Sequence, residues 1–130
     1  MLNIITATEK LHYANAFASP VRSALAALGP SVSEEAVFRF FLTNVIAGVL
    51  AGAYGKRETL VLAVGIAATF HGFLHVGPLL GHSAAESLMN GARLTLLFGV
   101  PLGVVAARMG LVSAIAFHWV IDFVRFALGL

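Results

Sequence analysis

The sequence contains no cysteine among its 130 residues and has few charged side chains. Without cysteine, disulfide bonds and thiolate-bound metals are excluded. Charged residues make up 11% of the chain, whereas a soluble domain of this size carries roughly a quarter. The net charge of +2 is too small and too scattered for nucleic-acid binding. The N-terminus lacks the charged start, apolar core and cleavage site of a removable signal peptide.

Apolar residues dominate what remains. They make up 59% of the chain, and the mean hydropathy is +0.93. Together with the length, this composition predicts one all-α domain embedded in a cell membrane as a multi-pass integral protein surrounded by lipid. It allows assembly as a homo-oligomer or with a partner membrane protein.

The order of apolar runs and helix breakers predicts a helix bundle with about four spanning helices. An N-terminal segment, residues 1–30, contains an amphipathic stretch over 1–17 that suits the membrane interface. It is followed by a short helix over 20–28, which Gly29-Pro30 is expected to end. Residues 31–130 form the membrane-embedded bundle.

The spanning helices are expected at 32–54, 58–76, 92–109 and from 111 to the end. Before the third, Ser83 and Glu86 match a capping box for a short helix closed by Asn90-Gly91. Gly110 breaks the chain before the fourth span. Short connections imply an antiparallel bundle, so polar residues from different helices meet toward one side of the membrane.

Two adjacent carboxylates stand at the head of the first expected span. Glu35 and Arg39 are four residues apart and can pair on one helix face, which leaves Glu34 free for other work. A structural interpretation also exists, because Ser31 and Glu34 match a capping box. Capping explains one carboxylate but neither the second nor the arginine one turn deeper.

Histidines on later helices complete a polar constellation. His71 and His75 are four apart near the end of the second span, and His118 and Asp122 are four apart on the fourth. A single histidine on an apolar helix is usually a satisfied core residue. Burying this whole set in a membrane would be costly, which favours a functional site.

The residues carry a resemblance to a known family. EEAVFR over 34–39, HGFLH over 71–75 and HWVID over 118–122 resemble, in order, the three motifs of the CPBP family, the CAAX-processing and bacteriocin-processing intramembrane endopeptidases. The second motif departs from the family pattern. In the family, the residue four positions before the motif histidine is usually phenylalanine, whereas this chain has His71 at that position. We favour His75 as the family's motif histidine and leave His71 as the alternative.

The resemblance implies a glutamate-dependent hydrolase without a cofactor. Glu34 would activate water with His75, and Glu35 paired with Arg39 would hold the helix head. His118 would donate to the oxyanion. The resemblance also implies a peptide or protein substrate cut near its terminus, either prenylated or a secreted precursor.

For Asp122 two roles stay open. An ionised carboxylate cannot donate to an oxyanion, so Asp122 is either protonated or orients His118 from one turn away.

Other functions remain open from the residues alone. A zinc enzyme would use His71, His75 and His118 as ligands, with Asp122 and Glu34 in reach, although the His-Glu-x-x-His signature is missing. A non-enzymatic bundle could bind haem through histidines of two helices or relay protons. A catalytically silent relative would act by binding a partner.

Overall fold

The computed structural model describes residues 19–76 and 83–128, and this part of the chain is all-α, with no strand. Its helices are α1 over residues 20–50, α2 over Lys56–Leu74, α3 over Ala84–Met109 and α4 over Leu111–Leu128. The all-α prediction is confirmed. The amphipathic stretch expected over 1–17 lies outside the described residues.

Helix α1 continues through Gly29-Pro30, where the sequence predicted a helix end. It consists of an α-helical part at Pro20–Glu35, a π-helical turn at Ala36–Leu42 and a second α-helical part at Thr43–Leu50. The expectation that Gly29-Pro30 ends a short helix was wrong, because a membrane helix tolerates proline where neighbouring groups satisfy the freed carbonyls. The division of the chain into 1–30 and 31–130 stays a prediction, although α1 crosses residue 30.

The capping-box interpretation of Ser31 and Glu34 was also wrong. Both residues lie inside α1, where the amides already have partners one turn earlier in the helix. The Ser31 hydroxyl donates to the Ala27 carbonyl at 2.6 Å, and that of Ser33 donates to the Gly29 carbonyl at 2.9 Å. Glu34 is therefore not required as a cap.

Helix α3 begins earlier than expected. The capping box at Ser83 is confirmed, since its hydroxyl accepts from the Glu86 amide and its own amide donates to the Glu86 carboxylate at 2.8 Å. The helix does not stop at Asn90-Gly91 but runs on to Met109, with a π-helical turn at Thr95–Gly99. Gly91 serves close packing instead, because a Cβ there would lie 2.6 Å from the Phe73 ring. The chain break at Gly110 is confirmed by its φ of +89°.

Three of these helices, α2, α3 and α4, are long and apolar enough to cross a membrane. The chain is thus a multi-pass membrane protein. The sequence predicted about four spans, and α1 is not one of the three. The reason lies in its middle, where Glu34, Glu35 and Arg39 interrupt the apolar run.

The packing of the helices brings these polar residues together. The first half of α1 packs along α4, its second half along α2, and α2 also packs against α3. Small residues allow the closest contacts, because a Cβ on Gly72 would overlap the Thr95 hydroxyl and one on Gly99 would lie 2.6 Å from the Ala68 carbonyl. The indole of Trp119 donates to the Ala24 carbonyl at 2.8 Å and fixes α4 to α1.

Candidate active site

Glu34 lies at the centre of a cluster of histidines. Its Oε2 is 3.1 Å from Nε2 of His71 and 3.2 Å from Nε2 of His75. The Nε2 of His118 lies 3.8 Å from the same oxygen. The Glu34 side chain is only 13% exposed. Residues from α1, the end of α2 and α4 thus converge within reach of a single water molecule, as the sequence predicted.

The π-helical turn of α1 follows directly after the two carboxylates. Such turns carry an extra residue, often occur at functional sites, and here let the Thr43 hydroxyl donate to the Phe38 carbonyl five residues back at 2.8 Å. Phe38 and Arg39, in the middle of this turn, are both buried. Phe38 stacks on the ring of His71 with centroids 4.7 Å apart. The local widening of α1 therefore builds one wall of the site.

Glu35 is fully buried and connects two parts of the cluster. Its Oε1 accepts from Nδ1 of His118 at 3.0 Å, and its Oε2 lies 3.4 Å from Nε of Arg39. The predicted pairing of Glu35 with Arg39 is confirmed. Because both carboxylate oxygens face cationic or donor groups, Glu35 fixes its neighbours, whereas Glu34 faces the histidines around the reaction space.

Arg39 determines which nitrogen of His71 carries a proton. Its Nη2 lies 2.7 Å from Nδ1 of His71, and a guanidinium can only donate. Nδ1 of His71 is therefore the acceptor, and Nε2 carries the proton that it donates to Glu34. His71 is thus held neutral in one tautomer, with both nitrogens occupied.

His75 has a different environment. Its Nδ1 donates to the His71 carbonyl at 2.8 Å, which leaves Nε2 facing Glu34. An ionised Glu34 offers only acceptors, so the contact between them requires a proton on one of the two atoms. The His75 side chain is 34% exposed, far more than that of His71. Glu34 and His75 can therefore exchange a proton in a place that water and substrate can reach.

His118 is surrounded by carboxylates. With Nδ1 donating to Glu35, its Nε2 lies 3.4 Å from Oδ2 of Asp122 and 3.8 Å from Glu34. The other Asp122 oxygen accepts from Arg125 at 3.0 Å. Asp122 is buried and Arg125 is half-exposed. This arrangement favours a proton on both ring nitrogens of His118, and it favours orientation of His118 by Asp122.

A cavity of about 280 Å³ opens beside these groups; we call it the front cavity. Its lining comes from the end of α2, the middle of α3 and the second half of α4, and comprises His71, Gly72, His75, Leu94, Phe98, His118, Ile121, Asp122 and Arg125. Apolar walls with a few converging polar groups are typical of a ligand site. Glu34 is not part of the lining and lies behind the histidines that it contacts.

The histidines and Glu34 could also be considered as ligands of a metal ion. The ligand atoms of Glu34, His71 and His75 all lie within 4.8 Å of one another, close enough for one ion. A metal on Nε2 of His71 would require the ring proton to move to Nδ1, because a neutral imidazole carries one proton. That proton would face the Arg39 guanidinium 2.7 Å away. Arg39, which contacts His71 from the side away from Glu34, therefore disfavours metal binding at Nε2 of His71.

Two contacts of the site had no signal in the sequence. Arg39 donates to the carbonyl of Gly99 at 3.2 Å, at the end of the π-helical turn of α3. Phe38 covers His71 although no spacing rule pairs a residue of α1 with one of α2. Neither π-helical turn could be predicted from apolar periodicity, because the extra residue has no marker in the sequence.

Comparison with known proteins identifies a matching family. The family model described as "Type II CAAX prenyl endopeptidase Rce1-like" matches residues 16–124, which is most of the chain. The matched range includes all three motifs, and Arg125 lies one residue beyond it. Comparison with curated proteins and with solved structures gives no match.

Proposed function

The chain belongs to the type II CAAX prenyl endopeptidase Rce1-like family, and we propose that it cuts a peptide bond by glutamate-dependent activation of water inside the membrane. The family is one of proteases that act on protein or peptide substrates at membranes. The glutamate mechanism rests on one observation. Glu34 lies within 3.8 Å of His71, His75 and His118.

In the first step Glu34 and His75 activate water. The Glu34 carboxylate accepts the proton of a water molecule held next to Nε2 of His75, and His71 keeps Glu34 in place by donating to the same oxygen. General bases act at hydrogen-bond distance, and the spacing of these groups meets that condition. The proton then passes through Glu34 or His75 to the leaving amine.

His118 stabilises the negative charge that develops on the carbonyl oxygen. It lines the front cavity, and its protonated ring is balanced by Glu35 on one side and Asp122 on the other. A donor fixed before the reaction lowers the barrier without reorganisation. Asp122 acts as the orienting residue for His118, and Arg125 balances the Asp122 charge. This role is favoured over a donor role for Asp122, because its two oxygens already face Nε2 of His118 and Nη1 of Arg125.

The substrate proposed is a peptide segment that enters the front cavity near its terminus. Leu94, Phe98 and Ile121 give the cavity an apolar wall next to the polar groups, which suits a peptide that carries a lipid or an apolar side chain. The cell membrane is the proposed location.

The test is hydrolysis by the purified, reconstituted protein. A fluorogenic peptide with a prenylated cysteine near its C-terminus is compared with the same peptide without the prenyl group. We expect Glu34→Gln to abolish cleavage while the helical content stays unchanged. Glu58→Gln is the matched control, because Glu58 is exposed at the start of α2 and should leave cleavage unchanged.

Cleavage by Glu34→Gln at a rate near that of the unmodified protein would rule out Glu34 as the base. A folded protein that cuts neither peptide would favour the catalytically silent relative that acts by binding.

A further inference from the structure

Arg125 lies at the exposed end of the front cavity. Three of the lining residues, His118, Asp122 and Arg125, follow one another on α4 at helical spacing, so they share one face of that helix. The exposed fraction of the side chain is 8% for His118, 6% for Asp122 and 51% for Arg125. The cavity therefore runs along α4 from a buried end at His118 to an accessible end at Arg125.

The cavity is a cleft between α3 and α4. The two helices pack together along Val100–Met109 of α3, whereas the part of α3 before this stretch packs on α2. Leu94 and Phe98 of that earlier part line the cavity from α3, and Arg125 lines it from α4. A peptide can therefore lie along α4, with an apolar wall on one side and the polar face of α4 on the other.

The guanidinium of Arg125 is held at one nitrogen only. Its Nη1 donates to Oδ1 of the buried Asp122 at 3.0 Å. Asp122 is the one partner of this guanidinium in the part of the chain that the structure describes, so the donors on Nε and Nη2 stay available. Because the buried carboxylate restrains the side chain, a ligand that binds these donors pays less entropy to order it.

The free donors of Arg125 suit a carboxylate. Nε and Nη2 lie on one edge of the guanidinium, and such an edge binds a carboxylate through two parallel hydrogen bonds. The buried end of the cavity does not suit one, because Glu34 and Glu35 already lie within 3.8 Å of His118 and would repel a further negative charge. Arg125 contacts only Asp122. An anionic group of a bound peptide is therefore directed to the Arg125 end.

The distance along α4 indicates which carboxylate of the peptide this is. His118 and Arg125 are two helical turns apart, which is about 10 Å along the helix axis. An extended peptide spans roughly 3.3–3.6 Å per residue, so a short segment connects a carbonyl at His118 with a carboxylate at Arg125. The C-terminal carboxylate lies at a fixed distance from the cut bond whatever the side chains of the peptide are. An acidic side chain does not.

We propose that Arg125 is a specificity-determining residue that binds the C-terminal carboxylate of a peptide in the front cavity. The carboxylate contacts Nε and Nη2, and the cut bond lies upstream of it, toward His118. Cleavage of the bound peptide rests on the proposed hydrolase function, whereas binding of the carboxylate does not. Arg125 does not touch the reacting atoms, so it selects the peptide and sets the position of its end.

The test compares two peptides that differ only at the C-terminus. Both carry a prenylated cysteine near this end and a fluorophore at the N-terminus; one ends in a free carboxylate and the other in an amide. Their Kd is measured by fluorescence anisotropy with reconstituted Glu34→Gln protein, which should hold the peptide uncut, with and without Arg125→Gln. Arg93→Gln is the matched control, because Arg93 precedes Leu94 on α3, is exposed and does not line the cavity.

We expect the protein with Arg125 to bind the carboxylate peptide about tenfold more tightly than the amide, the lower end for a hydrogen bond to a charged group. This ratio should fall to about one in Arg125→Gln and stay unchanged in Arg93→Gln. Arg125→Lys keeps the charge but not the paired donors, and its ratio should lie between. Taking the ratio within each variant removes any general effect of the substitution on the cavity. The kcat/KM values of the same proteins with Glu34 restored should show the same ratios.

Equal binding of the two peptides by the protein with Arg125, or binding of neither, would overturn the proposal. An unchanged ratio in Arg125→Gln would also overturn it and leave Arg125 as an anchor at the membrane surface. An equal fall of the ratio in Arg93→Gln would assign the preference to the general positive charge at this end of the bundle, against a site at Arg125. If the binding ratios are as expected but no peptide is cut, the proposed function fails and the carboxylate site stands.

Discussion

Arg39 on α1 donates a hydrogen bond across 2.7 Å to Nδ1 of His71 on α2. This contact distinguishes His71 from His75, although the two histidines look equivalent in the sequence. It holds His71 neutral and uses both of its nitrogens. His75, four residues later, keeps one nitrogen for Glu34 and faces the cavity. We infer that His71 positions Glu34 and that His75 takes part in proton transfer.

The same substitution at both histidines tests this difference. Glutamine places an amide near the position of Nε2, so His71→Gln can still donate to Glu34 but cannot carry a proton. We expect His71→Gln to keep most of the hydrolysis. His75→Gln should lose about 10²–10⁴-fold in kcat, the usual contribution of a general acid or base. The measurement is kcat and KM for both variants on one peptide.

The pH dependence of kcat provides the control for this comparison. Loss of a proton-transferring group should remove one limb of the profile in His75→Gln, while His71→Gln should keep the profile of the unmodified protein. Equal loss of kcat at both positions, or a larger loss at His71, would contradict the assignment.

Much of the site could be predicted because its residues follow helix spacing. Glu35 with Arg39 and His118 with Asp122 are each four residues apart, so any helix places the partners on one face. Antiparallel packing then brings Glu34 level with the histidines at the end of α2. These relations depend only on regular geometry, and the structure confirms the contacts.

The parts that could not be predicted depend on tertiary contacts. Pro30 and Asn90-Gly91 normally end helices, yet α1 and α3 continue because packing against other helices outweighs local preference. Two equivalent positions, His71 and His75, become different only through Arg39 on another helix. A motif on one helix contains no information about such a contact.

His118 gives a second prediction about the chemistry. Removing its ring should cost about 10²–10³-fold in kcat, as loss of one oxyanion donor does, so we expect that loss for His118→Ala. Asp122→Asn should lose less, because Glu35 still holds Nδ1 of His118 and an oxygen of the asparagine side chain can take the place of Oδ2 near Nε2. Both variants should leave the KM of the peptide nearly unchanged. A greater loss for Asp122→Asn than for His118→Ala would show that Asp122 itself takes part in the reaction.

Close packing of α2 against α3 predicts a difference between two glycines of the same helix. A Cβ on Gly72 would lie 2.5 Å from the Thr95 backbone nitrogen, whereas nothing lies within 4 Å of one on Gly65. Gly72→Ala should destabilise the protein by about 1–3 kcal/mol through overpacking. Gly65→Ala should be neutral or stabilise by up to about 1 kcal/mol, because alanine favours the helix. Thermal unfolding in detergent measures both, and equal midpoints would contradict this packing.

The last prediction concerns metal, and it depends on the contact between Arg39 and His71. A zinc ion bound by Glu34, His71 and His75 would lower the pKa of its bound water and replace Glu34 as the activating group. Binding at Nε2 of His71 would direct a ring proton toward the guanidinium of Arg39, which is unfavourable. We therefore expect hydrolysis to continue after exhaustive chelation, with metal content measured on the same sample.

A variant of Arg39 makes this test sharper. Arg39→Met removes the guanidinium that opposes the metal-binding tautomer of His71, so this variant should bind zinc more tightly than the unmodified protein. Its rate of hydrolysis should fall, because Glu35 and His71 lose their partner. Stoichiometric zinc in the unmodified protein, with activity lost on chelation and restored by zinc, would overturn the glutamate mechanism. The ligands would then be Glu34, His71 and His75, and the water would be activated by the ion.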